Sequence, residues 1–476
     1  MITTRLDLAG IQGGVVPVMP AQLERLRAHL AGSMLLPGDA GWADAVLLWN
    51  AMWTKTPALV VQPASAADVA TTVSFAHDNG ILLSIKGGGH NIAGTAIADR
   101  GLMIDMARMR EVVVDPAARL VHVGGGCLLR DVDAATQRYG LATVLGLVSE
   151  VGVAGLTLGG GFGNLARRFG WTVDNLEEVE IVTADGVIRI ASREQHPDLF
   201  WAVRGGGGNF GVITRFTFRL HEVGPTITGG LRVWGADRAP EVLAAYRELT
   251  ASAPRELMAG TILTCAPEAP FVPAEWHGRP VIIVLVCHSG ATPERDLTPL
   301  RAPGPPLVDL IAERPYVEQQ CLLDDMDPKG FDQYWKAEYL PELTDGYLAA
   351  LREAGTTLTS PLSYAITLQL GGAIGDRADD DGAVGNRDAR FIGGVAAMWA
   401  PDGRDDEHIA WARAGWQRIR PFSTGGNYIN FQMPDDDSAL TVAAYGTNYE
   451  RLTRIKAVWD PDNLFRTNRN VAPSPS

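Results

Sequence analysis

Cysteine is scarce in this sequence, and the few cysteines are widely separated. Among 476 residues there are only Cys127, Cys265, Cys287 and Cys321. No two of them form a C-x-x-C pair, so the pattern indicates neither a disulfide framework nor a zinc site. We therefore expect no metal centre.

Long apolar runs and an excess of positive charge are also missing. No stretch approaches the roughly 18 uninterrupted apolar residues of a membrane-spanning helix. The first residues, MITTRLDLAGIQGG, lack the basic region and apolar run of a signal peptide. A formal net charge of −14 and a pI of about 5.1 argue against nucleic acid or an anionic membrane as a partner. We expect a cytoplasmic protein with small-molecule partners, and the sequence leaves its oligomeric state open.

Glycine, in contrast, is abundant and is concentrated in three stretches. These are residues 85–94 (IKGGGHNIAG), 148–168 (VSEVGVAGLTLGGGFGNLARR) and 204–211 (RGGGGNFG). Without a Cβ atom, glycine backbone can approach an anion closely, and successive N–H groups form a concave site for phosphate oxygens. Three such stretches within about a quarter of the chain predict a long diphosphate ligand between backbone segments.

The two common phosphate-binding fingerprints do not account for these stretches. The sequence contains no G-x-x-x-x-G-K-[ST], which excludes a P-loop. Residues 159–163 match part of a Rossmann pattern, but the compact strand–turn–helix and the acidic residue about 20 positions later are missing. His90 is unusual because it lies within the first stretch, where the backbone is most open, and imidazole is nucleophilic enough to form covalent adducts.

Several motifs together resemble a known family. They are KGGGHN, VGVAGLTLGGGFG, DNL at 174–176, HPDLFWAVRGGGGNFG and the tail YGTNYERL…DPDNLF. They resemble the berberine-bridge-enzyme-like oxidases, which are FAD enzymes of the vanillyl-alcohol-oxidase class, and the resemblance covers almost the whole chain.

The resemblance implies an α+β fold. A PCMH-type FAD-binding domain of two subdomains is joined to a substrate domain, in which helices back an antiparallel sheet. We divide the chain into an N-terminal helical extension (1–45), the FAD-binding domain (46–224), the substrate-binding domain (225–425) and a C-terminal segment that returns to the FAD domain (426–476).

Local patterns predict individual elements within this frame. We expect a strand at 58–62 and a helix from about 66 to 79 with Ser65 as its N-cap. A helix at 128–139 should end at Gly140. Apolar spacing predicts a strand at 281–287 and a helix at 448–459.

The resemblance also implies one covalently bound FAD. In the family, the histidine that matches His90 is bonded to the flavin 8α methyl group, and many members add a bond from a cysteine at the position of Val148. We therefore expect a single link, through His90, as in the singly linked bacterial branch. The expected FAD-binding residues are His90, Lys86, Gly87, Gly88, Gly89, Asn91, Gly94, Val148, Ser149, Val151, Gly152, Gly155, Gly159, Gly160, Gly161, Gly163, Asn164, Asp174, Asn209, Val212, Ile213, Asn430 and Asn468.

A flavin accepts hydride at N5, and the protein positions the substrate and supplies a base. The polar residues expected in the substrate pocket are Lys336, Tyr339, Tyr364, Gln369, Asn386, Arg387, Tyr428 and Asn430. Of these we assign Tyr428, Asn430, Tyr364, Lys336 and Arg387 as catalytic candidates.

The family pattern does not supply the catalytic base. Residues 428–431 (YINF) resemble the family's Y-x-N-Y, whose last tyrosine is a base in several plant members, but this chain has Phe431 there. The base is then Tyr428, Tyr364 or Tyr445, or an amine substrate makes a base unnecessary. In an extended segment, Tyr428 and Phe431 face the same side only if the backbone bends between them.

We predict an FAD-dependent oxidase that removes a hydride from an alcohol, amine, sugar or phenolic natural product. Dioxygen then reoxidises the flavin and gives hydrogen peroxide. Val151 matches the family position where valine admits oxygen and isoleucine tends to block it. A flavin dehydrogenase with another acceptor, and a non-catalytic flavin-bearing binder, are the alternatives.

Overall fold

The computed structural model describes residues 5–475, which form a first domain organised around two small sheets and a second domain built on one large sheet. Both contain helices and strands, as the predicted α+β class requires. No helix within residues 5–475 is long and apolar enough to cross a membrane.

The first domain carries the shorter strands. They are β1 (Leu6–Ala9), β2 (Val15–Val18), β3 (Ser33–Leu35), β4 (Leu59–Gln62), β5 (Leu83–Lys86), β6 (Leu102–Asp105), β7 (Val112–Asp115), β8 (Leu120–Gly124), β9 (Leu141–Ala142), β10 (Leu176–Val182), β11 (Ile188–Ser192), β12 (Val212–Arg219) and β13 (His221–Glu222). Its helices are α1 (Pro20–Ala28), α2 (Trp42–Val46), α3 (Ala66–Asp78), α4 (Leu129–Thr136), α5 (Val153–Leu158), α6 (Ala166–Phe169) and α7 (Pro197–Val203).

Two sheets define the two subdomains. One has the order β3-β4-β6-β5, with β6 parallel to both β4 and β5. The other has the order β11-β10-β12-β8-β7 and is antiparallel. The glycine-rich residues 87–94 directly follow β5, and those from 152 to 163 surround α5. The two loops touch each other, because the backbone of Gly88 lies against that of Gly152.

The second domain is organised around an antiparallel sheet of eight strands, with order β17-β14-β16-β15-β20-β21-β19 and β18 beside β14. These are β14 (Thr226–Gly235), β15 (Leu257–Cys265), β16 (Pro280–His288), β17 (Val308–Asp309), β18 (Ala312–Pro315), β19 (Asp332–Leu340), β20 (Tyr364–Gln369) and β21 (Phe391–Trp399). The helices that follow the first domain are α8 (Ala239–Ala251), α9 (Pro293–Asp296), α10 (Tyr316–Gln320), α11 (Asp345–Thr356), α12 (Asp405–Ile419), α13 (Ser438–Tyr445) and α14 (Tyr449–Trp459).

The large sheet is apolar on both faces. One face packs against α8, α11 and α12, through residues such as Tyr246, Leu351 and Trp411. The opposite face packs against the first domain, where Phe162 and Trp171 belong to the same core cluster as Tyr364 and Ile392. The side chains of this second face therefore form a roof over the glycine-rich loops.

The predicted helix from about 66 to 79 with Ser65 as its N-cap, and the predicted helix at 128–139 that ends at Gly140, are confirmed. Ser65 caps α3, with its hydroxyl accepting a hydrogen bond from Asp68 N at 3.3 Å. After α4 a 3-10 turn (Gln137–Tyr139) ends at Gly140, which has a φ of 65°. The strand at 281–287 is confirmed by β16, and the helix at 448–459 by α14.

The expectation of a helical N-terminal extension is confirmed for α1 and α2 but not for the rest of the segment. Residues 6–18 form a β-hairpin, and β3 joins the first sheet beside β4. Among the described residues of this segment, α1 and α2 are the only α-helices. The LDLA and VVPV strands are too short for their periodicity to stand out from the leucine spacing of α1. Residues 1–4 of the predicted extension, and residue 476 of the predicted C-terminal segment, lie outside the described residues.

The C-terminal segment contacts the first domain through α14 and the residues that follow it. Lys456 Nζ donates hydrogen bonds to the carbonyl oxygens of Asn209 (2.6 Å) and Phe465 (2.9 Å). Thr467 Oγ1 donates to Leu83 O at 2.7 Å, next to β5. The tail is thereby attached to both subdomains.

Candidate functional site

A cavity of about 370 Å³ lies between the glycine-rich loops and the second face of the large sheet. The first domain contributes backbone from all three glycine-rich stretches. The sheet contributes Trp335, Tyr364 and Val395, and the tail contributes Phe431 and Asn468. The cavity thus joins the predicted phosphate-binding backbone to the predicted substrate roof.

The first two glycine-rich loops are in direct backbone contact. A Cβ atom built on Gly88 would lie 2.5 Å from Gly152 N, and one built on Gly152 would lie 2.4 Å from Gly88 N. Neither position accepts a side chain without movement of the backbone. Gly155 differs, because a Cβ built there meets nothing within 4 Å and the residue is exposed to the cavity.

The first loop also presents unused hydrogen-bond donors. Within residues 5–475, the backbone N–H groups from 87 to 92 donate to no protein acceptor. Further into the cavity, Asn468 Oδ1 and Arg469 Nη2 are buried without a partner. Buried polar groups normally find partners, so these groups form a site for a polar ligand with phosphate-like acceptors.

The predicted FAD-binding residues divide into two sets. Those that line the cavity are Gly87, Gly88, Gly89, His90, Asn91, Val148, Val151, Gly152, Gly155, Gly159, Val212, Ile213, Asn430 and Asn468. The others lie behind its wall, and their polar side chains are engaged elsewhere. They are Lys86, Gly94, Ser149, Gly160, Gly161, Gly163, Asn164, Asp174 and Asn209.

The partners of these others explain their positions. Lys86 Nζ donates to Ala45 O at 2.8 Å. Ser149 Oγ and N both donate to the Asp324 carboxylate, at 2.6 and 2.7 Å. Asn164 donates to Gln320. The glycines are close to other protein atoms. A Cβ on Gly94 would meet Trp53, and a Cβ on Gly160 would meet Val384. A Cβ on Gly161 would meet Thr172, and a Cβ on Gly163 would meet the backbone of Gly146.

Asn209 and Asp174 are likewise structural in this arrangement. Asn209 Oδ1 accepts from Val471 N at 3.0 Å and so holds the tail. Asp174 forms a buried pair with Arg387, whose two terminal nitrogens donate to the carboxylate at 2.8 and 2.9 Å. These residues maintain the loops that the cavity wall requires.

His90 is held in a nearly enclosed position at one end of the cavity. Its ring stacks on Trp49, with centroids 4.4 Å apart and planes inclined by 19°. Burial, reinforced by the charge of Lys329, lowers the pKa of His90 to about 3. The imidazole is therefore neutral at physiological pH, which is the nucleophilic form.

The backbone bends between Tyr428 and Phe431, so the two side chains can face the same side. Ile429–Phe431 is a 3-10 turn in which Phe431 N donates to Tyr428 O at 2.9 Å. Residues three apart eclipse each other in such a turn, and both rings line the cavity. Their centroids are 5.0 Å apart at 89°, so the two rings pack edge to face.

The Tyr428 hydroxyl is not poised to act as a base. It accepts hydrogen bonds from Gly161 N (3.1 Å) and Asn430 Nδ2 (3.0 Å). Burial nevertheless raises the pKa of Tyr428 to about 12. Asn430 also donates to the carbonyl oxygens of Gly155 and Leu156, so it joins the tail to α5.

The other phenols near the cavity are also unsuited to proton abstraction. Tyr364 and Tyr445 both line it. Burial raises the pKa of each well above its usual value, and the charge of Asp327 contributes at Tyr364. Tyr364 packs edge to face with Trp335, with centroids 5.9 Å apart. A neutral aromatic wall results.

Two of the predicted catalytic side chains do not reach the cavity. Lys336 exposes its backbone there, but its side chain points to the helix-covered face, where Nζ lies 3.1 Å from Asp435 Oδ1 and contacts Asp436. Strand alternation in β19 causes this, because Trp335 and Ala337 take the cavity side. Arg387 is bonded to Asp174, and Tyr339, Gln369 and Asn386 also lie away from the wall.

Trp49, Trp335 and Asp327 line the cavity but were missed in the sequence analysis. Asp327 follows a 3-10 turn (Asp324–Met326) and precedes Pro328, so its local sequence indicates only a loop. Burial, with a smaller contribution from Asp324, raises the pKa of Asp327 to about 7. No local pattern distinguishes this carboxylate from its acidic neighbours.

The chain matches two family models. The model described as FAD binding domain matches residues 57–192, and the model described as berberine and berberine like matches residues 427–472. The first contains two of the three glycine-rich stretches, and the second contains the tail segment at the cavity.

Relatives match over nearly the full length. An FAD-linked oxidoreductase of Dictyostelium discoideum is 30% identical over 432 residues, which is 89% of this chain and 91% of the relative. The (R)-6-hydroxynicotine oxidase of Paenarthrobacter nicotinovorans is 30% identical over 465 residues, covering 94% and 98%. The crystal structure of 6-hydroxy-D-nicotine oxidase from Arthrobacter nicotinovorans has a TM-score of 0.83 at 27% identity and covers 94% and 98%.

The fold and the cavity thus define an FAD-binding oxidoreductase of the PCMH type. The chain belongs to the berberine-bridge-enzyme-like family of FAD-linked oxidoreductases. The residues present fit the cofactor: the free N–H groups of 87–92 suit the diphosphate, and the open space at Gly155 leaves room for a ring system.

Proposed function

We propose that this protein is an oxidase that takes a hydride from a small organic substrate and passes the electrons to dioxygen, releasing hydrogen peroxide. The observation that carries the proposal is the continuity of the cavity, which runs from the glycine-rich loops and His90 to the aromatic roof of Trp335, Tyr364 and Phe431. When bound, FAD supplies the hydride acceptor, at N5 of its ring.

The protein's own residues bind and orient the reactants. The backbone of 87–92 and 152–155 holds the cofactor, while the roof of the large sheet excludes water from the substrate. A cavity lined mainly by apolar and aromatic groups with a few polar ones is typical of a small-molecule site.

We further propose that FAD is linked to the protein through His90 alone. Val148 lines the cavity at the position where many family members have a linking cysteine. In the described chain, Cys127 and Cys287 are buried in the core, and neither they nor Cys265 and Cys321 line the cavity. The neutral His90 ring is the nucleophile that the site offers.

The phenols of the cavity favour an amine as the substrate. Tyr428, Tyr364 and Tyr445 hold their protons at physiological pH, so none supplies a phenolate to an alcohol or phenol. An amine that binds in its neutral form needs no protein base. The relative named for 6-hydroxynicotine is consistent with a substrate of this kind.

Oxygen access gives a direct test of the oxidase proposal. Val151 lines the cavity beside the second glycine-rich loop. Enzyme that a screened amine has reduced should reoxidise rapidly in air and release one peroxide per turnover. Val151→Ile should slow reoxidation by roughly tenfold or more, about 1.4 kcal/mol in the barrier, while flavin reduction changes little.

The same experiment separates the alternatives. Slow reoxidation in air by the wild type, with rapid reoxidation by a quinone or dye, would indicate a dehydrogenase. Failure of amines, sugars, alcohols and phenols to reduce the bound flavin would favour a non-catalytic binder.

A further inference from the structure

Asp327 faces the ring nitrogen of His90 that is turned away from solvent. Its Oδ2 lies 3.6 Å from His90 Nε2, and both side chains are at least nine-tenths buried. Among the described residues, His90 Nε2 and Asp327 Oδ1 are buried atoms with no hydrogen-bond partner. The neutral side chain of Gln333 is the other polar group beside the Asp327 carboxylate.

Trp49 and Asn50 hold the loops that carry His90 and Asp327 next to each other. Trp49 stacks on the His90 ring, its Nε1 donates to Asp327 O at 3.1 Å, and its backbone N donates to Gly89 O at 3.1 Å. The next residue, Asn50, is fully buried and donates from Nδ2 to Ile92 O (2.8 Å) and Gln333 O (2.9 Å). One short segment thus connects the His90 loop to the segment that carries Asp327.

We propose that Asp327 is a positioning residue that accepts the Nε2 proton of His90 while His90 Nδ1 forms the covalent bond to FAD. A carboxylate on one imidazole nitrogen fixes the tautomer and leaves the lone pair on the other, as in a nucleophile–base–carboxylate arrangement. This inference rests on the proposed link through His90 and assigns a residue that assists it.

In this step a bond forms between Nδ1 and the 8α carbon of FAD. The 8α carbon loses one hydrogen as a proton to solvent, and the imidazole loses its Nε2 proton to Asp327, which passes it to solvent. The two electrons of the broken C–H bond pass into the flavin ring, and dioxygen then takes up these two electrons and two protons to give hydrogen peroxide.

The other charged groups near His90 and Asp327 have partners of their own, which leaves Asp327 to accept the Nε2 proton of His90. Near His90, Lys329 and Glu150 are paired with each other at 2.7 Å, and Glu150 also contacts Arg130. On the Asp327 side, Asp324 is bonded to Ser149, and the uncharged Tyr364 and Gln333 complete the surroundings. Since burial raises the pKa of Asp327 to about 7, its capacity to accept a proton increases as the pH rises through 7.

The test compares covalent with total FAD in purified protein. After denaturation and precipitation, linked flavin stays with the protein and unlinked FAD stays in solution. Asp327→Asn, which preserves shape, should lower the covalent fraction, with a linking rate reduced roughly tenfold to a hundredfold. Total FAD and the thermal midpoint should be little changed. Asp325→Asn, an exposed aspartate two residues away, is the matched control and should be fully linked.

A second pair of variants, Asp327→Glu and Asp327→Gln, controls for the case in which Asp327→Asn misfolds. Asp327→Glu should link faster than Asp327→Gln, although both side chains have the same length. When each purified variant is incubated with excess FAD between pH 6 and 9, linking by Asp327→Glu should increase with pH and reach a plateau. The amide variants should show no such plateau.

The outcomes separate this inference from the link itself. Equal covalent fractions in wild type, Asp327→Asn and Asp327→Gln would overturn the role of Asp327 and leave the His90 link in place. A wild type that releases all its FAD on denaturation would overturn both.

Discussion

Tyr428 and Phe431 show how one hydroxyl can serve structure rather than chemistry. Both rings line the cavity and pack against each other, but only Tyr428 has a polar atom. That oxygen satisfies Gly161 N, in the second glycine-rich loop, and Asn430. At the scale of the residue, the phenol fixes the second glycine-rich loop, which lines the cavity.

Tyr428→Phe should therefore affect stability more than chemistry. It leaves the buried Gly161 N–H without its acceptor, which costs about 1–3 kcal/mol. The rate of flavin reduction by substrate, and its dependence on pH, should be nearly unchanged, because a phenol with a pKa of about 12 is protonated throughout the working range. Stopped-flow reduction over a pH series and a denaturant titration measure the two effects. A large fall in rate, with loss of a basic limb in the pH profile, would show that Tyr428 is the base.

Individual site residues could be predicted only where the chemistry is local. His90 stands out because it lies within a run of glycines where the backbone is open, and the structure places it at the cavity. The side chains of Lys336 and Arg387 were misplaced because their direction depends on strand register and on an ion pair more than 200 residues away in sequence. Asp327 was missed because its role depends on contacts with Trp49 and His90. These residues are distant in sequence, and only the fold brings them near Asp327.

At the scale of the element, α5 and the loop around it are shaped by missing side chains. Gly88 and Gly152 are excluded from carrying a Cβ by each other's backbone. Gly155 lies within α5, where alanine is ordinarily preferred, yet a Cβ there would meet no protein atom and would project into the cavity. Packing against the described protein residues therefore does not account for the glycine at 155.

Gly155→Ala tests packing and cofactor binding separately. Without cofactor the variant should be as stable as wild type, or more stable by roughly 0.5–1 kcal/mol, because alanine favours the helix. The flavin-to-protein ratio after purification should fall, because the added methyl group occupies cofactor space. Calorimetry of flavin-free protein and the visible absorbance of purified protein check the two parts. Full flavin content would mean that α5 does not touch the cofactor.

Helices whose ends are marked by capping residues could be predicted from the sequence, and short strands could not. Ser65 before an apolar period placed the start of α3, and Gly140 placed the end of the turn after α4. The hairpin at residues 6–18 carries four-residue strands whose pairing depends on contact with Gly80 and Leu82 of the first domain. Such strands have no independent signature in the sequence.

At the scale of the whole molecule, buried polar pairs join the two domains over the cavity. Asp174 belongs to the first domain and Arg387 to the second, and their side chains are almost completely inaccessible. Asn50 connects the first loop to β19 in the same manner, through Gln333. The roof is therefore fixed to the loops by hydrogen bonds that water does not screen.

Arg387→Gln should weaken the whole structure without a specific effect on substrate. Removal of one partner from a buried ion pair costs up to about 3–5 kcal/mol. The buried Asp174 carboxylate would keep only the more distant Arg377, whose Nε lies 3.7 Å from Asp174 Oδ1, as an ion-pair partner. Arg255→Gln is the matched control, since Arg255 and Asp376 form an exposed pair whose loss costs at most about 1 kcal/mol. Thermal midpoints of the two variants should differ clearly, and equal midpoints would argue against the domain-joining role.

The central claim is that a single FAD is bonded to His90 and to no cysteine, and the intact mass of denatured protein tests it most directly. The wild type should exceed the mass of the chain by one FAD less two hydrogen atoms. His90→Ala should lose this increment, and a variant with all four cysteines replaced by serine should keep it. A wild type with the mass of the bare chain, a His90→Ala protein that retains the increment, or a flavin peptide that contains cysteine would contradict the account.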